Sequence, residues 1–167
     1  MKIYINEDAL KIIYKEVQIS RNIETGGILL GSVLLTGDIL ITHATNPGPN
    51  AIKKQNEFQK DYDYSNEIIN MLYKKYSIDY LGEWHKHPNN CVKYSSIDYA
   101  SMIKITNLNS RPCLFIIVGN DFSNENRQHI SILSVDPREN IIKSHEFNIT
   151  KEPEKLAIEK GLRFGDL

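Results

Sequence analysis

Six consecutive apolar residues, Cys113-Leu-Phe-Ile-Ile-Val118, stand between Pro112 and Gly119. The run is far short of the roughly 20 apolar residues of a membrane span. It is apolar at odd and even positions alike, so neither face of a strand built from it can meet water. Such a strand belongs in the middle of a sheet covered on both sides. The other segments supply the cover. Asn6 can cap a helix over residues 7–20, where Leu10, Ile13, Tyr14 and Val17 form one apolar stripe. Helical spacing recurs over 62–76 through Ile68, Ile69, Leu72 and Tyr73, and over 95–106 through Ile97, Ala100 and Ile105. A fourth helix is expected over 152–163, with Gly161 near its end. Strands are expected at 3–5, 57–60, 78–87 (stopped by Pro88), 128–135 and 141–149, with a hairpin of 25–35 and 38–45 turning at Thr36-Gly37. The expectation is an α/β fold with helices on a mixed sheet: one domain over residues 1–150, and a C-terminal helix in 151–167 packed on it or trailing it.

A chain of 167 residues can bury a core without disulfides. Apolar residues make up 41% and charged residues 25%, which excludes a disordered chain. The net charge of −1 argues against a general nucleic-acid binder, which carries a basic patch. The two cysteines, Cys91 and Cys113, make no disulfide framework, and the N-terminus has no apolar run of signal-peptide length. These features point to a cytoplasmic protein with no membrane segment.

The chemistry concentrates in Gly82-Glu-Trp-His-Lys-His-Pro88 and Ser95-Ser-Ile-Asp98. Strand side chains alternate, so His85 and His87 point the same way and can share one metal. Asp98, in the first turn of the next helix, can fold back over the strand end. Two imidazole nitrogens and one carboxylate suit zinc, and three protein ligands leave a fourth position open, as catalytic sites require. Ser95 and Asp98 also form a plain helix-capping pattern, and the two roles are compatible. Taken alone, Glu24 reads as a surface acid ahead of a Gly-Gly turn. Glu83 shares the face of the histidines if the strand is regular, as a partner to an imidazole, a rival base or a solvated residue. Lys86 and Trp84 should face the other way, and Lys86 should tolerate substitution. Cys91 lies in the loop between the two motifs and reads as an ordinary loop cysteine, the alternative being a thiolate that reaches a metal; Cys113 should be a buried small residue, and His43, His129 and His145 lack ligand spacing.

The two motifs resemble those of the JAMM (MPN-plus, prokaryotic JAB) metalloproteases, whose signature is an upstream Glu followed by His-x-His-x7-Ser-x2-Asp. His85, His87, Ser95 and Asp98 match without insertion or deletion, and Glu24-Thr-Gly-Gly-Ile-Leu-Leu-Gly31 looks like the strand of the catalytic Glu. The resemblance implies a cytidine-deaminase-like α/β/α sandwich and one catalytic zinc on His85, His87 and Asp98. It also implies a general base at Glu24, an oxyanion donor at Ser95, and hydrolysis of peptide or isopeptide bonds at the C-termini of ubiquitin-like proteins. Many eukaryotic members have Ser or Thr where this chain has Lys86. Tyr80-Leu-Gly-Glu-Trp-His-x-His-Pro88 and Phe58-Gln-Lys-Asp61 resemble the standalone bacterial JAB peptidases, among them the deconjugating enzymes of CBASS antiphage systems. The implied partner is a protein with an extended C-terminal tail, such as a conjugated nucleotidyltransferase. Residues 46–55 and 121–126 are the loops expected to flank the cleft. Alternatives are a peptidase that trims a sulfur-carrier precursor or cell-wall peptide, a non-catalytic MPN scaffold, and a RadC-type repair protein. The five intact site residues disfavour the scaffold. The near-neutral charge and Trp84 before the first His disfavour the RadC type.

Overall fold

The computed structural model describes residues 1–122 and 129–160. β1 (Ile3–Asn6) runs directly into α1 (Glu7–Ser20), where the Asn6 side chain accepts from the Asp8 amide as the cap. Next come β2 (Thr25–Val33), β3 (Ile39–Ala44) and a small separate hairpin of β4 (Ile52–Lys54) and β5 (Glu57–Gln59). Then follow α2 (Tyr62–Tyr76), β6 (Asp79–Lys86), α3 (Ser96–Asn109), β7 (Cys113–Val118), β8 (Ile130–Val135), β9 (Ile142–His145), β10 (Phe147–Thr150) and α4 (Pro153–Glu159).

Eight strands form one mixed sheet in the order β10-β1-β3-β2-β6-β7-β8-β9. β9 and β10 are its two outer strands, yet only Glu146 separates them in the chain. Alpha carbons two residues apart lie within about 7 Å. The sheet therefore curls until its edges come together at Glu146.

Alternation on the central strands sorts the core into layers. Leu114, Ile116 and Val118 of β7 pack with Ala9, Leu10, Ile13 and Val17 of α1. Cys113, Phe115 and Ile117, on the opposite face, pack with Met102 of α3. β2 behaves alike: Leu29 joins the α1 cluster, while Ile28 and Leu30 join Leu72 of α2. All six residues of β7 are buried, as the apolar run requires. The mixed α/β sheet expected from the sequence is present, with α1 on one face and α2 and α3 on the other.

Several expectations fail in detail. The strand expected over 141–149 is broken at Glu146 and serves both edges of the sheet. The helix at 95–106 presents Met102 and Thr106 inward, while Ile97 is 76% exposed and Ala100 lies outside. The cause is Asp98: Asp98, Met102 and Thr106 share one helical face, and Asp98 is drawn toward the histidines. Tyr73 is exposed, on the solvent side of α2. Part of the loop expected over 46–55 is the strand β4. The fourth helix is seen over Pro153–Glu159, and Gly161 and Arg163 lie outside the described residues, as does Gln128 of the expected strand 128–135. Among the described residues no helix is long and apolar enough to cross a membrane.

Candidate metal centre

The direction of the two histidines is set by an irregularity in β6. In the antiparallel ladder with β2, Leu29 opposes Gly82 and Leu30 opposes Tyr80, so Leu81 is skipped. This bulge resets the alternation, and both Leu81 and Trp84 face the α1 cluster. Only glycine fits at residue 82: its φ is 152°, and a Cβ there would lie 1.8 Å from the Leu114 carbonyl oxygen. Beyond the bulge, Glu83, His85 and His87 point to the α2–α3 side. Trp84 lies on the opposite face, as expected, and its indole Nε1 donates to the Thr45 carbonyl at 2.9 Å. The His87 amide continues the ladder by donating to the Val118 carbonyl at 2.9 Å.

Asp98 arrives from the start of α3. Ser95 caps this helix in a reciprocal capping box: its hydroxyl accepts from the Asp98 amide at 3.1 Å, and its own amide donates to Asp98 Oδ2 at 2.6 Å. The carboxylate oxygens then sit 3.3 Å from His85 Nε2 and 3.3 Å from His87 Nε2. The two Nε2 atoms are 3.0 Å apart. A tetrahedral ion held at about 2.0–2.1 Å has ligand–ligand edges of about 3.3 Å. Each imidazole nitrogen meets a different oxygen of the Asp98 carboxylate, and one ligand atom from each of His85, His87 and Asp98 lies within 4.8 Å of the others, a group able to hold a metal ion among the described residues.

Hydrogen bonding and burial set the protonation of the two rings differently. His87 Nδ1 lies 2.6 Å from the Cys91 carbonyl, which can only accept, so Nδ1 carries the hydrogen and the Nε2 lone pair faces the cluster. The Asp98 carboxylate competes with a metal for that nitrogen by favouring a proton on it, which holds the pKa of His87 above its ordinary value, so metal binding would release the proton. Burial pushes His85 down to about 4, keeping it neutral. Burial works to raise Asp98, but the hydrogen bond to His87, the charge of His85 and the bonds from Ser95 outweigh it and hold the carboxyl well below the usual range.

Glu24 lies just ahead of Thr25, which opposes Lys86 in the ladder, and its amide donates to the Lys54 carbonyl at 2.9 Å. The ladder ends at that pair, one residue short of Glu24 on one strand and of His87 on the other, and the Glu24 carboxyl is half-buried there. Burial raises its carboxyl, and the charges of His87, Asp98 and Lys86 act on it. The neighbouring glycine has a steric cause: a Cβ on Gly26 would lie 2.3 Å from the Trp84 carbonyl and 2.6 Å from the Phe58 ring. The missing side chain lets β5 lie against β2 beside the ligands. The Ser95 hydroxyl accepts one bond in the cap and keeps its proton to donate.

Other expectations need correction. Glu83 bonds to no imidazole; it accepts from Lys60 and, at 3.1 Å, from the Tyr80 hydroxyl. Lys86 does face away from His85 and His87, and it is fully buried and bonded to backbone carbonyls. Cys91 is an exposed free thiol near the Lys93 carbonyl, and its contribution to the site is its own carbonyl. Sequence reasoning missed that acceptor, since a main-chain carbonyl has no residue type to signal it. Cys113 is buried, and His145 pairs with Ser134 at 2.7 Å. The 88–94 loop is fastened by Asn90, which accepts from the Asp121 amide at 2.8 Å. Of the expected cleft loop 121–126, residues 123–126 lie outside the described residues.

No family model matches the chain. It is 30% identical over 98 residues to a CD-NTase/cGAS isopeptidase of Escherichia coli (strain TW11681), covering 58% of this chain and 62% of the relative. It is 29% identical over 89 residues to a probable metalloprotease, y4qB, of Sinorhizobium fredii (strain NBRC 101917 / NGR234), covering 52% and 54%. It is 31% identical over 123 residues to a CD-NTase/cGAS isopeptidase of Pseudomonas aeruginosa (strain BWHPSA011 / Pa011), covering 70% and 77%. The chain thus spans 62% and 54% of the length of the first two relatives and more of the third. In fold it is similar to the solution structure of protein DSY2949 from Desulfitobacterium hafniense, at a TM-score of 0.66 and 14% identity over 90% of this chain and 94% of that one. With the ligand spacing, the helix cap and these relatives together, the chain belongs to the CBASS-associated isopeptidases of the JAMM/MPN family.

Proposed function

We propose that this chain is a zinc-dependent isopeptidase that releases a nucleotidyltransferase, attached through its C-terminus, from the proteins that carry it. The observation that carries this reading is the convergence of His85 Nε2, His87 Nε2 and the Asp98 carboxylate within 3.3 Å of one another. The relatives named as CD-NTase/cGAS isopeptidases support the substrate class. The layered sheet supports a cytidine-deaminase-like α/β/α sandwich over residues 1–150, with α4 as an appendage of the same domain.

His85, His87 and Asp98 would hold the zinc, which would supply Lewis acidity to activate water at neutral pH. Glu24 takes the proton of the attacking water and returns it to the departing amine. Ser95 donates its hydroxyl hydrogen to the carbonyl oxygen as charge develops there. The Cys91 carbonyl keeps His87 in the tautomer that offers Nε2 to the metal. The segment 46–55, with β4 beside Glu24, grips the extended tail of the substrate by main-chain pairing. No nucleic acid or membrane takes part.

The test is cleavage of reporters fused to the C-terminal tail of a CD-NTase, of a bacterial ubiquitin-like protein and of a sulfur carrier. Chelator-sensitive cleavage of the first tail, lost in Glu24→Gln, is the expected result. Preference for the sulfur-carrier tail would reassign the substrate. A folded, zinc-loaded protein that cleaves none of the three would overturn the enzymatic reading.

A further inference from the structure

Lys86 lies between the two ligand histidines and points to the opposite face of the sheet, where it has no accessible surface. A buried ammonium is costly unless its hydrogens find acceptors. Here Nζ donates to the backbone carbonyl of Arg21 and, at 3.1 Å, to that of Ile23. Both carbonyls belong to the short link between the end of α1 and the start of β2, the link that carries Glu24. The link turns sharply, with Arg21 at φ 41°, and residues 21–23 are exposed. Two backbone bonds also hold it: the Ile23 amide to the Ser20 carbonyl and the Glu24 amide to the Lys54 carbonyl, both at 2.9 Å. Its far end is braced by the buried Glu16, which accepts from Thr25 Oγ1 at 2.8 Å and Lys53 Nζ at 2.9 Å.

We propose that Lys86 is a positioning residue for Glu24. It fastens the link carrying the carboxylate to the strand carrying His85 and His87, so that base and ligands keep one relative placement. This rests on the reading of the site given above. A neutral side chain of similar length fills the same space but leaves two carbonyl oxygens without their shared donor, whereas the lysine ammonium has three hydrogens to give. Strand alternation explains why this residue can serve so, being next to both ligands in the chain yet on the face where α1 ends.

The experiment compares Lys86→Met and Lys86→Arg with the wild type, each as the full chain loaded with zinc. Three quantities are read: zinc per chain, hydrogen–deuterium exchange over residues 20–26, and turnover of the CD-NTase-tail reporter. In Lys86→Met we expect one zinc per chain and about tenfold faster exchange of the Ile23 and Glu24 amides, with residues 113–118 still protected. We also expect kcat to fall roughly ten- to a hundredfold at unchanged KM, as misplacement of a catalytic group predicts. Lys86→Arg, which keeps a cation and donors, should restore slow exchange. In a Glu24→Ala background, Lys86→Met should lower kcat no further. Unchanged exchange in Lys86→Met, loss of zinc, or an equal fall in kcat without Glu24 would each overturn the proposal. If Lys86→Met does not fold, Lys86→Leu is read in the same way, since it too has no donor for the two carbonyls. If the wild type cleaves no reporter, the enzymatic reading has failed, and the exchange and zinc measurements still decide whether Lys86 fixes the link.

Discussion

β6 and β7 lie side by side, parallel, in the middle of the same sheet. β7 carries six apolar residues, all buried, and among the described residues its side chains reach a polar partner only through the Cys113 thiol. β6 carries Asp79, Tyr80, Glu83, His85 and Lys86 in the same setting. Each of these polar groups costs energy unless it is met. Asp79 is met by Arg111, Glu83 by Lys60 and Tyr80, and Lys86 by two carbonyls. The imidazoles of His85 and His87 meet instead the carboxylate of Asp98 and each other. The stability of the sheet centre is therefore assigned to β7, and its chemistry to the one end of β6 where polar groups converge without closing on ordinary partners.

That contrast can be broken at several places. The largest expected effect is that of Glu24→Gln: turnover of the reporter should fall about 10²- to 10⁴-fold, the usual weight of a general base, while zinc content measured by atomic absorption stays at one per chain. Next in size is Ile116→Ala in β7, which should cost about 2–5 kcal/mol in denaturant unfolding and leave the zinc affinity of the folded fraction unchanged. A smaller effect separates the strands by pH. His87 must lose its proton to bind zinc, and Asp98 holds its pKa above the ordinary 6.5. Zinc affinity should therefore start to fall above pH 6.5 as the solution is acidified, and approach about tenfold per pH unit below it. Calorimetry in buffers of different ionisation enthalpy reads the proton released, and a pH-independent affinity would show that His87 is not the titrating ligand. Smallest is Ile97→Ser: at 76% exposure it should shift stability by no more than about 0.5 kcal/mol, and a large loss would mean that α3 buries the face first expected from its sequence.

The candidate metal group was legible because its geometry is local. Two residues on a strand share a face whatever the rest of the chain does, and an Asp three residues after a cap lies in the first turn of its helix. β7 was legible for the same reason, since six apolar residues in a row permit little else. What escaped was set by partners distant in sequence. The face of α3 follows from the pull of the histidines on Asp98, not from where Ile97 and Ala100 fall. The strand Ile52–Lys54 has two lysines and no alternation, and it forms because β5 pairs with it. The burial of Lys86 depends on carbonyls more than sixty residues away, and nothing near it in the chain distinguishes it from a solvated lysine. The break at Glu146 has no breaker residue; the curl of the sheet imposes it.

That curl has a consequence for the making of the protein. β1 finds its first neighbour in β3, through Ile3 opposite Ile39, but its second only in β10, through Ile3 opposite Phe147. On a ribosome adding about 5–20 residues per second, the open side of β1 waits roughly 5 to 20 seconds for residues 147–150 to be made. For that interval the nascent chain presents an unpaired strand edge to its neighbours. Products ending before residue 147 would keep that edge for good, so incomplete synthesis exposes this fold to edge-to-edge aggregation.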